Sequence, residues 1–330
     1  MRPPRPLAGI AGPPAIRPPS IRLPTILALG AFAVLGSMGA ADIAGGGSEL
    51  TAAKAVLLGV IEGVTEFLPV SSTGHLLVSG NLLGVGTNGD ASKAAADAYS
   101  IVIQGGAILA VFVLYFSRVR QIVMGLFGRD DDGRRLLVNL VIAFAPAAVI
   151  GLVAEGPIKR VLFGPWPVVA AWVAGGLVIL WLSKRGTLAP DREGVRSLTD
   201  LTPRDAVIIG IAQAVAMWPG TSRSLVTIVA AALLGYSLAA AVEFAFVLGL
   251  LTLSAATVYD LLKHGDEITT AYGVGPPLIG FVTAFLAAVV AIRWMVGYLQ
   301  SHSFAVFGWY RLAAASVTVV LIASGALAIA

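Results

Sequence analysis

The 330-residue chain contains no cysteine and only three histidines. Without cysteine it can form neither disulfides nor thiolate sites. Three histidines, His75, His264 and His302, make a multi-histidine metal centre a poor interpretation. Charged residues are also scarce, at 12% against about 25% in a typical soluble domain, while hydrophobic residues reach 57%. This composition excludes an ordinary soluble protein and predicts an integral membrane protein.

The few charges show a small positive excess, with 22 Lys and Arg against 18 Asp and Glu. Arginines cluster in two polar stretches, 117–135 and 184–204, which lie between apolar runs. Basic loops beside membrane spans mark the cytoplasmic side, so both stretches are predicted to face the cytoplasm. This distribution favours contact with anionic lipid and argues against nucleic acid as a partner.

The first 45 residues form a segment of their own. Residues 1–23 are rich in proline and arginine and are predicted to lack a regular helix. The apolar run 24–41 that follows is typical of a signal sequence or of an extra transmembrane segment. The integral membrane domain is predicted to occupy 46–330, with about six full spans separated by polar loops.

Two places in this domain depart from the pattern of full spans. The apolar segments 50–67 and 71–85 are each short for a membrane crossing, and a polar turn at Pro69 joins them. Segments 205–217 and 224–236 repeat this arrangement around a second proline. Helix breaks at membrane depth are tolerated where they face protein or a water-filled cavity. Each pair is therefore predicted to form a re-entrant helical hairpin.

The two hairpins belong to an internal repeat. In each half a glycine precedes a polar residue by three positions, Glu62 in the first half and Gln213 in the second. The halves cover roughly 50–183 and 205–329, and the cytoplasmic loops place their hairpins on opposite sides of the membrane. The predicted fold is an all-α polytopic membrane protein with an inverted-topology repeat, whose site lies where the broken helices meet.

The first hairpin concentrates polar chemistry in an apolar chain. Glu62 and Glu66 are four residues apart, so they share a helix face and repel unless a cation, proton or water intervenes. Paired carboxylates favour a divalent metal with oxygen ligands, Mg²⁺ or Ca²⁺, which makes them the predicted metal ligands. Ser72 and His75 follow the break as candidates for a nucleophile and an acid–base group. The alternative is a short surface loop between two spans.

The second hairpin supplies a positive charge. Arg223 carries a planar fork of donors that suits phosphate oxygens, and the helix that starts beside it offers free N–H groups. Thr221, Ser222 and Ser224 add hydroxyl groups. The alternative is a simple helix cap, with the arginine extended to the membrane interface. Taken together, the two hairpins predict phosphoryl chemistry on a lipid phosphate.

Two motifs carry a resemblance to a known family. The stretches EGVTEFLPVSSTGH (62–75) and WPGTSRS (218–224) resemble the signature motifs of the bacterial undecaprenyl-diphosphate phosphatase family, of the bacitracin-resistance type. The resemblance extends from about residue 50 to the C-terminus and includes Tyr310-Arg311. It implies an enzyme that releases the terminal phosphate of undecaprenyl diphosphate at the outer face of the bacterial plasma membrane. The product would be reused as a lipid carrier for peptidoglycan synthesis, and the activity would give bacitracin resistance.

The resemblance also implies roles within the site. Glu62 and Glu66 would form the acidic motif, and Arg223 would bind the diphosphate. The attacking group stays open between Ser72, His75 and a metal-bound water, with Ser72 preferred. Substrate contacts are predicted from the other polar side chains of the two hairpins: Ser71, Thr73, Gln213, Thr221, Ser222, Ser224 and Thr227.

The chain departs from the family pattern in two places. Leu225 stands where glycine usually follows the Ser-Arg-Ser motif, which narrows the second hairpin without removing a catalytic group. The first 45 residues have no counterpart in compact family members. The predicted partners are the membrane and a polyprenyl diphosphate lipid, and a homodimer is compatible with the sequence.

Three other functions compete with this interpretation. A polyprenyl-phosphate transporter or flippase would use the same carboxylates and arginine but would not need Ser72 and His75. A phosphatase of the phosphatidic-acid type would need a Lys-x6-Arg-Pro element and a second histidine soon after its Ser-Arg motif, and the chain has neither. A receptor would bind the lipid carrier without turnover.

Overall fold

A computed structural model of the chain describes residues 49–190 and 195–327. The predictions made for residues 1–45 lie outside the described residues. Within the described ranges the chain forms eleven α-helices, two short 3₁₀ helices and no β-sheet. The helices are α1 (Ala52–Thr65), α2 (Ser72–Leu82), α3 (Asp90–Leu114), α4 (Phe116–Leu126), α5 (Asp131–Leu162), α6 (Pro165–Lys184), α7 (Pro203–Ala214), α8 (Arg223–Leu233), α9 (Leu238–Tyr272), α10 (Gly275–Tyr298) and α11 (Ala305–Ala323).

Six helical segments are long and apolar enough to cross a membrane, which confirms the prediction of an all-α polytopic protein with about six spans. They belong to α3, α5, α6, α9, α10 and α11. Their bounds are Asp90–Leu114, Asp131–Ala154, Pro165–Lys184, Leu238–Asp260, Gly275–Tyr298 and Ala305–Ala323.

The remaining apolar helices form two hairpins of short helices. The first hairpin is α1 and α2, with 14 and 11 residues, and the second is α7 and α8, with 12 and 11 residues. At 1.5 Å per residue each helix is roughly 16–21 Å long. The hydrocarbon core of a bilayer is about 30 Å thick, so none of these helices could cross it alone. Their re-entry into the membrane stays a prediction.

The second helix of each hairpin starts in the same unusual way. Ser71 and Ser222 precede α2 and α8, with φ of 75° and 74°, and are the only non-glycine residues with positive φ in 49–190 and 195–327. Each serine hydroxyl accepts a hydrogen bond from the backbone N–H three residues later, at Gly74 (3.4 Å) and Leu225 (3.3 Å). A non-glycine residue held at such a sparsely populated pair of backbone angles costs about 1–3 kcal/mol. The same strained cap at matching positions supports the internal repeat.

The packing of the helices follows the same repeat. Helix α1 packs against α10 of the second half, and its counterpart α7 packs against α5 of the first half. The counterparts α3 and α9 pack against each other, as do α6 and α11. This crossed packing is what two halves related by a two-fold axis produce. The opposite orientation of the halves in the membrane stays a prediction.

Matching glycines permit the crossed contacts. A Cβ atom at Gly59 of α1 would lie 2.5 Å from the carbonyl oxygen of Gly280, and one at Gly210 of α7 would lie 2.4 Å from that of Ala143. Both distances are shorter than any van der Waals contact, so the helix backbones approach too closely for a side chain. These are the glycines that precede Glu62 and Gln213 in the sequence repeat.

The main apolar core surrounds the ends of the two hairpins. It joins Phe67 and Val70 of the first hairpin to Leu225 and Ile228 of α8 and to Phe246 of α9. In lipid, close van der Waals packing rather than release of water holds such a core together. The side chain of Leu225, the residue that departs from the family pattern, is buried in this core.

Candidate active site

The two hairpins meet at their tips, which are residues 66–71 (the first tip) and 215–222 (the second tip). The Ser224 hydroxyl, just past the second tip, donates a hydrogen bond of 3.1 Å to the carbonyl of Leu68, although 156 positions separate the two residues. Nη2 of Arg223 lies 3.5 Å from Oε1 of Glu66. These contacts confirm the prediction that the tips lie together.

Glu66 connects the predicted nucleophile to the predicted phosphate-binding cation. Its Oε2 accepts a hydrogen bond from the Ser72 hydroxyl, while its Oε1 faces Arg223. Glu66 and Ser72 are both buried. A hydroxyl bonded to a carboxylate in a buried site has the geometry of a nucleophile beside its general base. The arrangement therefore favours proton transfer from Ser72 to Glu66.

Glu62 lies one helical turn before Glu66 and is 1% exposed. Its Oε2 has no hydrogen-bond partner within the described part of the chain. A buried carboxylate without a partner is costly, so this oxygen calls for a proton, a cation or a donor on a ligand.

The donors at this position fit the predicted divalent cation. Glu62, Glu66 and the Ser72 hydroxyl offer only oxygen atoms, which Mg²⁺ and Ca²⁺ prefer. Among the described residues no group of three or more His, Asp or Glu side chains is placed to hold a metal ion. The carboxylate pair would therefore leave further coordination positions to water and to phosphate oxygens, as is usual for Mg²⁺. Metal binding stays a prediction.

Arg223 begins α8 and reaches toward the first tip. Its Nη1 donates to the carbonyl of Ala245 at 3.0 Å, and its guanidinium lies 5.4 Å from the ring centre of Phe67. Nε and Nη2 are buried and make no hydrogen bond to any described residue. Nε is therefore available to an anion, and Nη2, which lies at ion-pair distance from Glu66, could join it in bidentate binding of phosphate oxygens.

Gly249 on α9 makes room for this arginine. A Cβ atom at Gly249 would lie 2.2 Å from Nη1 of Arg223. The sequence offered only a glycine within an apolar span, and no pattern linked it to the second tip.

The other predicted substrate contacts fall into two groups. Ser71 and Ser222 are the N-caps of α2 and α8, and the hydroxyl of Ser224, in the first turn of α8, lies 3.0 Å from that of Ser222. Thr73 is exposed and Thr221 is half-buried beside the tips.

Thr227 and Gln213 are placed farther back. The Thr227 hydroxyl donates to the carbonyls of Arg223 and Ser224 in its own helix, at 2.9 and 3.1 Å. Gln213 is buried and accepts a hydrogen bond of 3.4 Å from Thr252, while its Nε2 has no partner among residues 49–190 and 195–327. The structure gives Thr227 a helix-internal partner and leaves Gln213 with one free donor.

His75 lies beside the first tip but does not face Ser72 as its base. Its Nδ1 lies 2.7 Å from the carbonyl of Ser71, and its Nε2 lies 2.9 Å from the hydroxyl of Tyr310. Because a carbonyl only accepts, we assign the ring proton to Nδ1, so that Nε2 accepts from the tyrosine. In the structure Ser72 bonds Glu66 instead, and the acid–base role of His75 stays a prediction.

Tyr310 and its neighbour Arg311 are site residues to which no sequence pattern assigned a role. Arg311 is 0% exposed, and its partners among the described residues are backbone carbonyls of the two tips and of α6. The sequence signals were their inclusion in the family resemblance and their position as an adjacent tyrosine and arginine in an otherwise apolar segment.

A second polar cluster lies at the base of the second hairpin, outside the six spans. Asp205, in the first turn of α7, accepts hydrogen bonds from Arg196 (2.8 Å), Tyr236 (2.7 Å) and Thr202 (2.6 Å). Burial raises the pKa of the Asp205 carboxyl, but these hydrogen bonds outweigh it and hold the pKa well below its usual value. These hydrogen bonds hold two segments against α7: the loop that precedes α7 and the turn that precedes α9.

Comparison with known proteins finds a matching family and several similar proteins. Residues 55–317 match the family model described as bacitracin resistance protein BacA. Undecaprenyl-diphosphatase 1 of Chromobacterium violaceum is 45% identical over 258 residues, which are 78% of this chain and 92% of that protein. Undecaprenyl-diphosphatase 2 of Rhodospirillum rubrum is 46% identical over 260 residues, 79% of this chain and 91% of its own. The undecaprenyl-diphosphatase of Bradyrhizobium diazoefficiens is 42% identical over 274 residues, 83% of this chain and 98% of its own.

Proposed function

Because the chain belongs to the bacitracin resistance protein BacA family, we propose that it is a membrane phosphatase acting on undecaprenyl diphosphate. The products would be undecaprenyl phosphate and inorganic phosphate. The observation that carries this proposal is the position of Glu66, which bonds the Ser72 hydroxyl on one side and faces Arg223 on the other. This arrangement joins a nucleophile, a base and a phosphate-binding cation in one buried site.

The geometry supports the following reaction. Arg223 binds oxygens of the diphosphate through Nε and Nη2. The Ser72 oxygen forms a bond to the terminal phosphorus while Glu66 accepts its proton, and the bond from that phosphorus to the bridging oxygen breaks. Undecaprenyl phosphate leaves. Water then displaces the serine oxygen, which recovers its proton from Glu66, and inorganic phosphate is released.

Ser72 is preferred as the attacking group because both ring nitrogens of His75 have other partners. His75 would instead brace the first tip against α11. A divalent cation held by Glu62 and Glu66 would neutralise part of the charge on the diphosphate when bound.

The finer assignments rest on the family resemblance. We place the protein in the bacterial plasma membrane, with the site opening to the outer face. There the lipid phosphate would be recycled for peptidoglycan synthesis, and the activity would give bacitracin resistance. A homodimer stays a prediction.

The transporter alternative shares the carboxylates and Arg223 but has no use for a hydroxyl bonded to a buried carboxylate. That hydrogen bond, between Ser72 and Glu66, is the reason to prefer hydrolysis. A receptor would likewise have no need of it.

The test is phosphate release from undecaprenyl diphosphate by the purified protein in detergent micelles. We expect turnover by the wild type and strong loss in Ser72→Ala and Arg223→Lys. Matched controls are Ser316→Ala and Arg293→Lys, since both residues are exposed on helices of the second half. Lipid transfer across vesicles without phosphate release would support the transporter instead. Full activity of Ser72→Ala would remove Ser72 as the nucleophile and leave a water-based attack.

A further inference from the structure

Arg311 is a fully buried cation that contacts both hairpin tips. Its Nη1 donates to the carbonyl of Pro69 at 3.2 Å, and its Nη2 donates to the carbonyl of Gly220 at 2.8 Å. Nη2 also donates to Ala171 at 2.9 Å, and Nε to Trp172 at 3.4 Å, both in α6. One guanidinium therefore joins the first tip, the second tip and helix α6.

The two tip carbonyls occupy equivalent places in the repeat. Pro69 lies two residues before the strained cap Ser71, and Gly220 lies two residues before the strained cap Ser222. Arg311 therefore holds the same backbone position in each half.

The charge of Arg311 is balanced only by carbonyl dipoles. No carboxylate pairs with it among the residues that the structure describes. A charge buried without a counter-ion is retained only at a cost, which several well-aligned hydrogen bonds offset. Helix α6 makes room for it at Gly175, where a Cβ atom would lie 2.5 Å from Nη2. An arginine that only anchored α11 at the membrane interface would not need to be fully buried against a glycine that makes room for it.

The preceding residue, Tyr310, extends this contact to α2 of the first hairpin. The Tyr310 hydroxyl bonds Nε2 of His75 at 2.9 Å, and the two rings are stacked with centres 5.6 Å apart. The start of α11 thus contacts the first hairpin twice: Arg311 bonds the backbone of the first tip, and Tyr310 bonds His75 of α2.

We propose that Arg311 is a positioning residue that ties the two tips together and so sets Ser72 and Glu66 in register with Arg223. This inference rests on the proposed phosphatase function, because register matters only if these three groups act on one substrate. Arg311 touches no reacting atom in this scheme. The planar guanidinium matters because its nitrogens point in different directions and reach carbonyls of the first tip, the second tip and α6. A lysine carries its three donors on a single nitrogen and cannot reach all three.

The test combines kinetics with a distance measurement. Because the chain contains no cysteine, Thr73→Cys and Thr221→Cys can carry a unique pair of spin labels, one beside each tip. Pulsed electron paramagnetic resonance then reports the distance between the tips in detergent micelles. The variants are Arg311→Gln and Arg311→Lys in the labelled background for distances and in the native background for kinetics. Arg293→Lys, an exposed arginine on α10, is the matched control.

We expect Arg311→Gln to broaden or lengthen the tip distance and to lower kcat by about 10²-fold, the effect of a misplacement of about 1 Å. KM should change by less than about threefold, because the residue does not bind substrate. Arg311→Lys should recover part of both losses. Arg293→Lys should match the wild type.

Three results would overturn the proposal. The first is an unchanged, narrow distance in Arg311→Gln, which would show that the tips stay together without it. The second is a rise in KM with constant kcat, which would make Arg311 a substrate ligand. The third is wild-type kcat in Arg311→Gln. If the wild type itself releases no phosphate, the proposed function fails, while the distance arm still decides whether Arg311 ties the tips.

Discussion

Replacing Glu66 by glutamine changes one charge at the point where both tips meet. Glutamine has nearly the same shape and still offers an oxygen to the Ser72 hydroxyl, so the backbone of the first tip should keep its course. Besides one of the two predicted metal-binding carboxylates, two things are lost: the group that accepts the serine proton and the negative charge 3.5 Å from Arg223.

The two losses have different magnitudes and different readouts. A positioned general base contributes about 10²–10⁴ in rate, which is about 2.7–5.5 kcal/mol of barrier. Breaking a buried ion pair costs about 3–5 kcal/mol of stability, because the remaining charge is left uncompensated. We therefore expect Glu66→Gln to lower both kcat and the melting temperature in detergent.

Binding of an anion should move in the opposite direction. In the wild type the carboxylate of Glu66 competes with a phosphate for Arg223, whereas in Glu66→Gln the arginine has no such competitor. Inorganic diphosphate should therefore inhibit the variant at lower concentration than the wild type and should raise its melting temperature more.

The assay is phosphate release from undecaprenyl diphosphate in micelles, with thermal melting measured in the presence and absence of diphosphate. Asp131→Asn, an exposed acidic residue in the first turn of α5, is the control for loss of one charge. Retention of more than about a tenth of wild-type kcat in Glu66→Gln would refute its role as the base, given the usual size of that contribution. Weaker diphosphate binding would refute the competition with Arg223.

Three further predictions test other parts of the site. Chelation should lower turnover, and Mg²⁺ or Ca²⁺ should restore it. Glu62→Gln should raise the metal concentration needed by about tenfold or more, because even changes beside a metal ligand weaken binding by about 10–100-fold. Gly249→Ala should lower phosphate release strongly, because its methyl group would displace Arg223, whereas Gly156→Ala, where a Cβ meets open space, should not. Asp205→Asn should lower the melting temperature at pH 7. Because the pKa of this carboxyl is depressed in the fold, its ionised form stabilises the fold at pH values above its unfolded pKa of about 3.9. The difference in melting temperature from wild type should therefore shrink as pH falls below that value. A constant difference from pH 7 to pH 3 would contradict that account.

Patterns in the sequence predicted much of the fold. Hydropathy and length predicted the spans, because a crossing helix needs about 20 apolar residues. The two hairpins could be recognised because their apolar segments are shorter than a membrane crossing requires. The glycines at 59 and 210 marked the repeat, and the structure shows their physical cause in the close approach of α1 to α10 and α7 to α5.

The site was predictable only in part, because a sequence shows which groups are present and not which of them face each other. Ser72, Glu66 and Arg223 were identified by type and position, and the structure brings them together. The sequence proximity of Ser72 and His75 suggested a pair, but Ser72 bonds Glu66, while the two ring nitrogens of His75 bond the Ser71 carbonyl and the Tyr310 hydroxyl of α11. Contacts such as that of Arg311 depend on backbone carbonyls, which carry no residue-specific signal at all.

The crossed packing of the halves has a consequence for how the protein is made. The first hairpin leaves the ribosome early, but its main packing partner, α10, arrives near the end of the chain. Arg223 follows with α8, midway through synthesis, but Glu62 and Glu66 lack the α10 surface until α10 itself is made. The half-made protein therefore carries two carboxylates that the bilayer disfavours, and their burial waits for a helix of the second half. A chain truncated before α10 should be held by the insertion machinery or degraded rather than fold to a partial enzyme.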